Sequence, residues 1–545
     1  MGREDNIQLI RVLERQIAQG NGDTIKLKRA RNSLLNISIR VPPEILGYIF
    51  VLTLARKPNY WDWDYLTSHF DGLDQESYNF LLVCHHWLEI ASNTPELWTF
   101  WGDNFQDWDK LCRFNEAAPV DLVFDGYGAF KEAFSAPLRV ALKARAARDK
   151  IRQIHLRGDD SDLLGSILST LTPDEEGIQR NCIESIVLQT IIIPEELSNL
   201  FARSLLPRLE CLDITGTSKA LFWDHLAPHT TRLTTLSLKL CESSLPLTMS
   251  QLIPILVSNT HLQHLTLWDA SLPDNADAGS EIRVPLRHLR TINLRGNIRC
   301  VFQLLQRLEL PESLNFRSLS MKNSTVEDIY QNLAPYMQDL FRRDVGFKDR
   351  LEVDTSFYDD VRIFVDVDYP LGTASQPEVP GPSAHFTVFI IDPPPYPVMK
   401  NLHLDLVALI PQEHVVSMAM DYTLETPEEL LISMPNIEHL RLRNVTFSDG
   451  FLQSNPNGSH ANTKLPPSLR SLHLHLVDVN ADDADWELLK TYLAHQTSNG
   501  HTLSLQVYTD NFRVPFQVAK EIRDLVERFT YSGIGWGSED EEPGQ

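Results

Sequence analysis

The sequence predicts an α/β chain in which an all-helical N-terminal module precedes an irregular solenoid of short strands and helices. Three observations carry this: a hydrophobic unit recurs through the middle of the chain, helix-start signals cluster near the N-terminus, and the composition supplies ample core. Of 545 residues, 43% are hydrophobic and 22% charged, which is ordinary for a globular protein.

The charge balance narrows the partners. Lys and Arg number 49 against 73 Asp and Glu, a formal net charge of −24. A field of that sign repels phosphate backbones and anionic lipid, so neither nucleic acid nor a membrane is expected as a partner. The N-terminus, MGREDNIQLIRVLERQ, is charged and lacks the apolar core of a signal peptide. No apolar run approaches the ~18 residues needed to span a bilayer. Cys84, Cys112, Cys182, Cys211, Cys241 and Cys300 are scattered without CxxC spacing. That pattern predicts buried, reduced thiols in a cytoplasmic or nuclear protein.

The recurring unit has the form LxxLxL. It runs through Ile151-Ile154-Leu156, Ile183-Ile186-Leu188, Leu209-Leu212-Ile214, Leu233-Leu236-Leu238, Leu262-Leu265-Leu267, Leu289-Ile292-Leu294 and Phe316-Leu319-Met321. After a gap it resumes as Met399-Leu402-Leu404, Ile437-Leu440-Leu442 and Leu469-Leu472-Leu474. The early units end 24 to 32 residues apart. The last residues of each alternate with period 2, as a strand with one buried face does. Stretches such as EELSNLFARS (195–204) between units are long enough for a helix. One strand and one helix at this spacing is the signature of leucine-rich repeats, whose units bury their apolar faces only against their neighbours. A two-layer α/β domain with Leu-rich strands would not explain the regular intervals.

The gap holds two alternating stretches, Val361-Ile363-Val365-Val367 and Phe386-Val388-Ile390, on either side of a Pro/Gly/Ser-rich loop. Two degenerate repeat strands or an inserted hairpin both fit. The C-terminal GIGWGSEDEEPGQ is Gly-rich and acidic, so it is expected to be disordered.

Upstream of the repeats, Ile7, Ile10, Leu13 and Ile17 sit at near-helical spacing, and Gly20-Asn21-Gly22 breaks that pattern, so one or two surface helices are expected. Val41-Pro42-Pro43-Glu44 then opens a helix: proline suits the first turn and Glu44 complements the helix dipole. Ile45, Tyr48, Ile49 and Leu52 follow as an i, i+3, i+4, i+7 stripe. A second helix is expected from about Tyr78 to Ala91, and a third start at Thr94-Pro95, with Thr94 as its cap.

The segment VPPEILGYIF … LLVCHHWLEIASNTPELW closely resembles the F-box pattern: a Leu-Pro-x-Glu helix start, then Val-Cys-x-x-Trp, then Pro-x-Leu-Trp. The resemblance covers residues 41–98. Val41 stands for the usual Leu, and residues 56–76 lengthen a loop. The whole chain then looks like the F-box proteins with leucine-rich repeats abundant in fungi. The expected organisation is an N-terminal helical segment (1–36), an F-box-like domain (37–115), a leucine-rich-repeat domain (116–532) with an irregular insertion near 344–398, and an acidic tail (533–545). The resemblance implies the substrate-recognition adaptor of a cullin-RING (SCF-type) ubiquitin ligase. In such a complex the F-box binds the SCF adaptor subunit and the repeats bind a protein substrate. The adaptor-facing set it implies is Val41, Pro42, Glu44, Ile45, Val83 and Trp87. A module of roughly 60 residues in short helices buries little core alone and leaves apolar side chains to share. The alternative is that these six pack the module onto the first repeat, leaving a scaffold without ligase association.

No catalytic pattern is present: there is no GxxxxGK loop, GxSxG elbow or HExxH. Cys84 and His85 are sequence neighbours that point about 100° apart on a helix. Pro228 separates His225 from His229, and no third metal ligand is evident. Neither an enzyme nor a cofactor is expected. If the repeat leucines face inward, the residues between them line the opposite, concave face. Its fixed charges are Arg157, Lys239, Arg295, Lys322, Arg441 and Arg443 against Asp213 and Asp405, with Trp268 as an anchor. That strip suits an acidic or phosphorylated protein substrate.

Overall fold

The computed structural model describes residues 3–19, 23–35, 41–54, 85–101, 118–125, 149–172, 179–180, 182–218, 226, 230–241, 247–269, 272, 282–311, 314, 316–322, 325–343, 351–357, 360–367, 385–391, 405–421, 431, 434–445, 466, 468–476, 483–498, 503–509, 514 and 516–533. They belong to two compact units, Met1–Leu209 and Glu210–Gln545.

The first unit opens on two helices, Arg3–Ala18 and Thr24–Leu35. The Asp23 carboxylate caps the second by accepting from the Ile25 and Lys26 N–H groups at 3.1 and 3.3 Å. The helix Pro43–Leu54 has Glu44 in its first turn. It packs against the helix His85–Ser92 and a 3-10 turn, Pro95–Trp98. Leu46, Phe50, Ile90, Ala91, Leu97 and Trp98 are buried between them. The Trp98 indole donates to the Ala91 carbonyl at 2.8 Å. Thr94, expected as an N-cap, makes no capping bond to the turn that follows it. Its hydroxyl instead donates to the Ile90 carbonyl at 2.8 Å, because the preceding helix ends only two residues earlier and leaves its last carbonyls open. The residues expected to start the second helix, 78–84, lie outside those described.

A parallel ladder follows. β1 (Phe100–Trp101) pairs with β2 (Val120–Asp125), β2 with β3 (Ile151–Arg157), and β3 with β5 (Ser185–Ile193). The short strands β4 (Gln179–Arg180) and β6 (Ser204–Leu205) pair separately. After β3 comes the helix Ser161–Leu171, capped by Asp160, which accepts from Leu163 N–H at 3.0 Å. The helix Glu196–Arg203 follows β5.

In the second unit, β7 (Cys211–Ser218), β8 (Thr235–Leu240), β9 (His264–Asp269), β11 (Thr291–Asn297) and β13 (Phe316–Lys322) pair in parallel, in that order. The two-residue strands β10 (Val284–Pro285) and β12 (Leu308–Glu309) form a separate pair. Equivalent residues fall in register, so Ile214, Leu238, Leu267, Leu294 and Leu319 form one row, each no more than 1% exposed. Burying each such side chain contributes about 1.5–3 kcal/mol. The helices Met249–Ser258 and Ile298–Arg307 supply the facing layer. Asn297 caps the second by accepting from Arg299 N–H at 2.9 Å.

Of the two expected forms the gap takes the hairpin: β15 (Asp360–Val367) pairs antiparallel with β16 (His385–Ile391), and β14 (Leu351–Phe357) extends it by one strand into an antiparallel meander. Its outer strands join the repeats: β16 pairs in parallel with β13, and β14 in parallel with β17 (Val415–Asp421). The parallel ladder then continues through β18 (His439–Val445), β19 (Ser471–Leu476), β20 (Ser504–Thr509) and β21 (Arg528–Gly533). Met399 to Leu404 lie outside the described residues, and Asp405 opens a helical turn at 405–408. Asp405 is therefore not on a strand face as expected; β17 fills that place in the ladder.

The chain is α/β, with parallel ladders and alternating helices compatible with a repeat solenoid. Among the described residues no helix is long and apolar enough to cross a membrane. Of the thiols described, only Cys300 is buried; Cys182 and Cys241 are exposed and Cys211 is half-buried, and none of the four is in a disulfide. The expectation of buried cysteines fails at Cys182 and Cys241 because both lie just outside the strands, before β5 and after β8. Of the acidic tail, Gly533 ends β21, and the rest lies outside the described residues.

Candidate protein-interaction sites

The helix Pro43–Leu54 buries one side and exposes the other. Leu46 is 4% and Phe50 2% exposed, whereas Ile45, Tyr48, Ile49 and Leu52 are 51, 60, 43 and 55% exposed. The stripe read from the sequence is thus the outward face. Pro42 and Glu44 are exposed beside it and Val41 is half-buried. Trp87 is half-buried, its ring centroid 5.0 Å from that of Phe50, so it braces the helix from behind. Val83 lies outside the described residues. Gly47 marks the close approach that holds this helix: a Cβ there would sit 2.7 Å from Thr94 Oγ1.

The polar face of β7–β13 carries three of the expected cations and the aromatic anchor. Lys239, Trp268 and Arg295 occupy one register row on adjacent strands. The Lys239 ammonium lies 5.5 Å, and the Arg295 guanidinium carbon 5.2 Å, from the centroid of the Trp268 ring. Such cation–π pairs contribute about 0.5–1 kcal/mol each where partly exposed. These cations also have carboxylates beside them. Lys239 Nζ is 3.8 Å from Asp213, Arg295 Nε is 4.0 Å from Asp269, and Lys322 Nζ is 3.1 Å from Asp269. Asp269 went unnoticed in the sequence because it falls one residue past the alternating set, where the chain turns with φ 52°. Asp405, counted with Asp213 as an acid of this strip, accepts a hydrogen bond from the Tyr330 hydroxyl. Burial and this bond push the tyrosine up to about 12. The expected basic strip is therefore charge-compensated along β7–β13.

Further along the second unit the picture differs. Arg441 on β18, His473 on β19 and Gln506 on β20 share one row. His439 lies two residues before Arg441 on the same strand face, and the His475 ring is 4.8 Å from that of Tyr508 on β20. Arg441 and Tyr508 are exposed; His439, His473 and His475 are half-buried. Burial of the His473 ring, then the charges of Arg441 and His439, hold its imidazole below the usual 6.5. Arg443 registers with Asp421 across the β17–β18 pair. In the first unit, Arg157 ends β3, half-buried, in register with Asp125 and Gln189.

Among the described residues no group of three or more His, Cys, Asp or Glu is arranged to hold a metal ion; His225 and His229 lie outside them. No family model and no curated protein matches the sequence. Among solved structures, the chain is similar to one described as "Crystal structure of Rad7 and Elc1 complex in yeast", at 11% identity and a TM-score of 0.27, with 84% of this chain and 95% of that chain covered. A likeness at this TM-score carries no argument.

Proposed function

We propose that this chain is a non-enzymatic substrate-recognition subunit of a cullin-RING (SCF-type) ubiquitin ligase. In this reading the F-box-like helices dock on the adaptor subunit, and the leucine-rich-repeat face holds a protein substrate. The observation that carries it is the outward stripe Ile45, Tyr48, Ile49 and Leu52, on a helix whose opposite side is already packed. A contiguous apolar stripe left in water is the mark of an interaction surface rather than of a finished core. It lies within the segment whose motifs resemble the F-box, and Pro42, Glu44 and Ile45 beside or within it are exposed, as docking requires.

The test is affinity purification of the full chain with the adaptor subunit and cullin, comparing wild type with Ile45→Asp and Pro42→Asp. Loss of adaptor from both variants at unchanged thermal midpoints is expected. Equal recovery of adaptor from all three would remove the ligase reading and leave a repeat scaffold.

A further inference from the structure

We propose that β21 is a self-docking edge: two copies of this chain join through an antiparallel β21–β21 pair about a two-fold axis at Thr530. The inference concerns the second unit alone and does not depend on the ligase reading.

The last rung of the ladder is incompletely covered. On β19 and β20 the inward residues Leu472, Leu474, Leu505 and Val507 are each no more than 1% exposed. Leu505 and Val507 register with Phe529 and Tyr531 on β21, and both of these are only half-buried, as are Leu525 and Val526 just before the strand. The Tyr531 hydroxyl is hydrogen-bonded to that of Thr509 at 2.9 Å, so the ring is held in place while part of it stays in water. The row that is dry one strand earlier is wet here, and among the described residues β21 pairs with β20 alone.

The backbone presents the matching donors and acceptors. The Glu527 N–H donates to the Leu503 carbonyl at 3.1 Å. A strand turns successive residues' peptide groups to opposite sides. Phe529 and Tyr531 therefore also face β20, whereas the N–H and C=O groups of Arg528, Thr530 and Ser532 face away from it. Such an edge templates another strand unless proline, a central charge or a bulge blunts it. β21 (RFTYSG) has no proline, its one charge is at the first residue, and its register with β20 is unbroken.

Self-complementarity decides the occupant. Directly opposite residues of an antiparallel pair share a sheet face. The half-wet sides of two copies thus coincide only where opposite residues are both odd-numbered or both even-numbered. Centred on Thr530, this register uses the whole strand: Thr530 opposes Thr530, Phe529 opposes Tyr531, and Arg528 opposes Ser532. The Thr530 and Arg528–Ser532 pairs then exchange backbone hydrogen bonds, and two aromatic pairs close over the exposed rung. An unrelated strand would need its own matching alternation, whereas a second copy supplies it by symmetry, and the isologous joint closes at two copies. The net charge of −24 per chain opposes association at long range, and one strand pair is a small joint. The dimer therefore dissociates on dilution and tightens with salt.

The test is sedimentation equilibrium of the full-length protein over a concentration series at about 0.05 and 0.5 M NaCl, whose Debye lengths lie on either side of ~10 Å. A reversible monomer–dimer equilibrium is expected, tighter in high salt. Thr530→Pro deletes an outward N–H, which an edge strand tolerates, and should weaken association at least tenfold at a similar thermal midpoint. Thr530→Lys and Thr530→Asp each place like charges opposite one another at the axis, so each alone should be monomeric; mixed together, the two should form a mixed dimer. Monomer at every concentration, undiminished dimers of Thr530→Pro, or no mixed dimer from the Lys and Asp variants would overturn the proposal. So would dimerisation that appears only after residues 534–545 are removed, since the chain's own C-terminus would then be the occupant of the edge.

Discussion

The side-chain oxygen of Asn259 accepts a hydrogen bond from the backbone N–H of Leu233 at 2.9 Å. Its amide nitrogen donates to the carbonyls of Ile255 and Thr230 at 2.8 and 3.0 Å. At 1% exposure, this side chain ties the end of the helix Met249–Ser258 to the segment entering β8. Asn259→Leu strands the Leu233 N–H in a dry environment and should destabilise the second unit by about 2–4 kcal/mol. Asn297→Ala removes one exposed cap bond and should cost about 1 kcal/mol. Urea midpoints of the two variants separate the cases; equal shifts would mean the clamp carries no special weight.

Gly47 and Thr94 form a testable pair. Gly47→Ala pushes a methyl to 2.7 Å from Thr94 Oγ1, which forces one of the two packed segments to move. A loss of about 1–3 kcal/mol is expected. Thr94→Ala removes that oxygen along with its bond to Ile90, so the double variant should be more stable than the two single losses added together. A double-mutant cycle on thermal midpoints reads the coupling, and strict additivity would show that the helices do not meet there.

His155 sits on β3 between Val123 and Val187 in register and is 6% exposed. Burial lowers its pKa from 6.5 to about 4. The folded state therefore binds fewer protons than the unfolded chain between those values, so stability is full above pH 6.5 and falls as the pH drops towards 4. The loss reaches up to about 3 kcal/mol. His155→Gln should flatten the stability–pH curve over that window and leave its slope above it unchanged. Parallel curves for the two proteins between pH 6.5 and 4 would refute this.

Asp269 holds a left-handed backbone at φ 52°. Both Asp269→Gly and Asp269→Ala delete the carboxylate shared by Arg295 and Lys322, so their difference isolates the backbone. The glycine variant should be more stable by about 1 kcal/mol. If alanine matches it in urea unfolding, the turn does not keep this conformation in solution.

Much of this architecture was legible because leucine at period 2 is a strong strand signal, and the rows Ile214 to Leu319 and Leu442 to Leu474 follow it. What escaped was written in weaker letters. β17 (VVSMAMD) uses Val, Met and Ala, so its alternation dissolves into an apolar run. β2 and β20 stand outside the leucine consensus, and β14 lacks it altogether. At the candidate sites, the stripe Ile45–Leu52 was visible as a stripe, but helical periodicity does not say which of two apolar faces looks outward. Phe50 and Leu46 settle that by packing inward. The basic strip was misjudged along β7–β13 because pairing with Asp269 depends on a turn, not on alternation. The neighbours of Arg441 on the other side depend on which strands pair, and β17 was not foreseen.

The meander β14–β16 departs from the repeat pattern, yet only β15 runs against the rest. Both of its outer strands point the same way as β13 and β17, so it behaves like a splice: the polarity that enters on one edge is the polarity that leaves on the other. Excising residues 344–398 would bring β13 and β17 face to face with matching direction and unsatisfied edges, ready to zip together. An ancestral or engineered version of this protein could therefore gain or shed the segment as a cassette without rewriting the coils on either side.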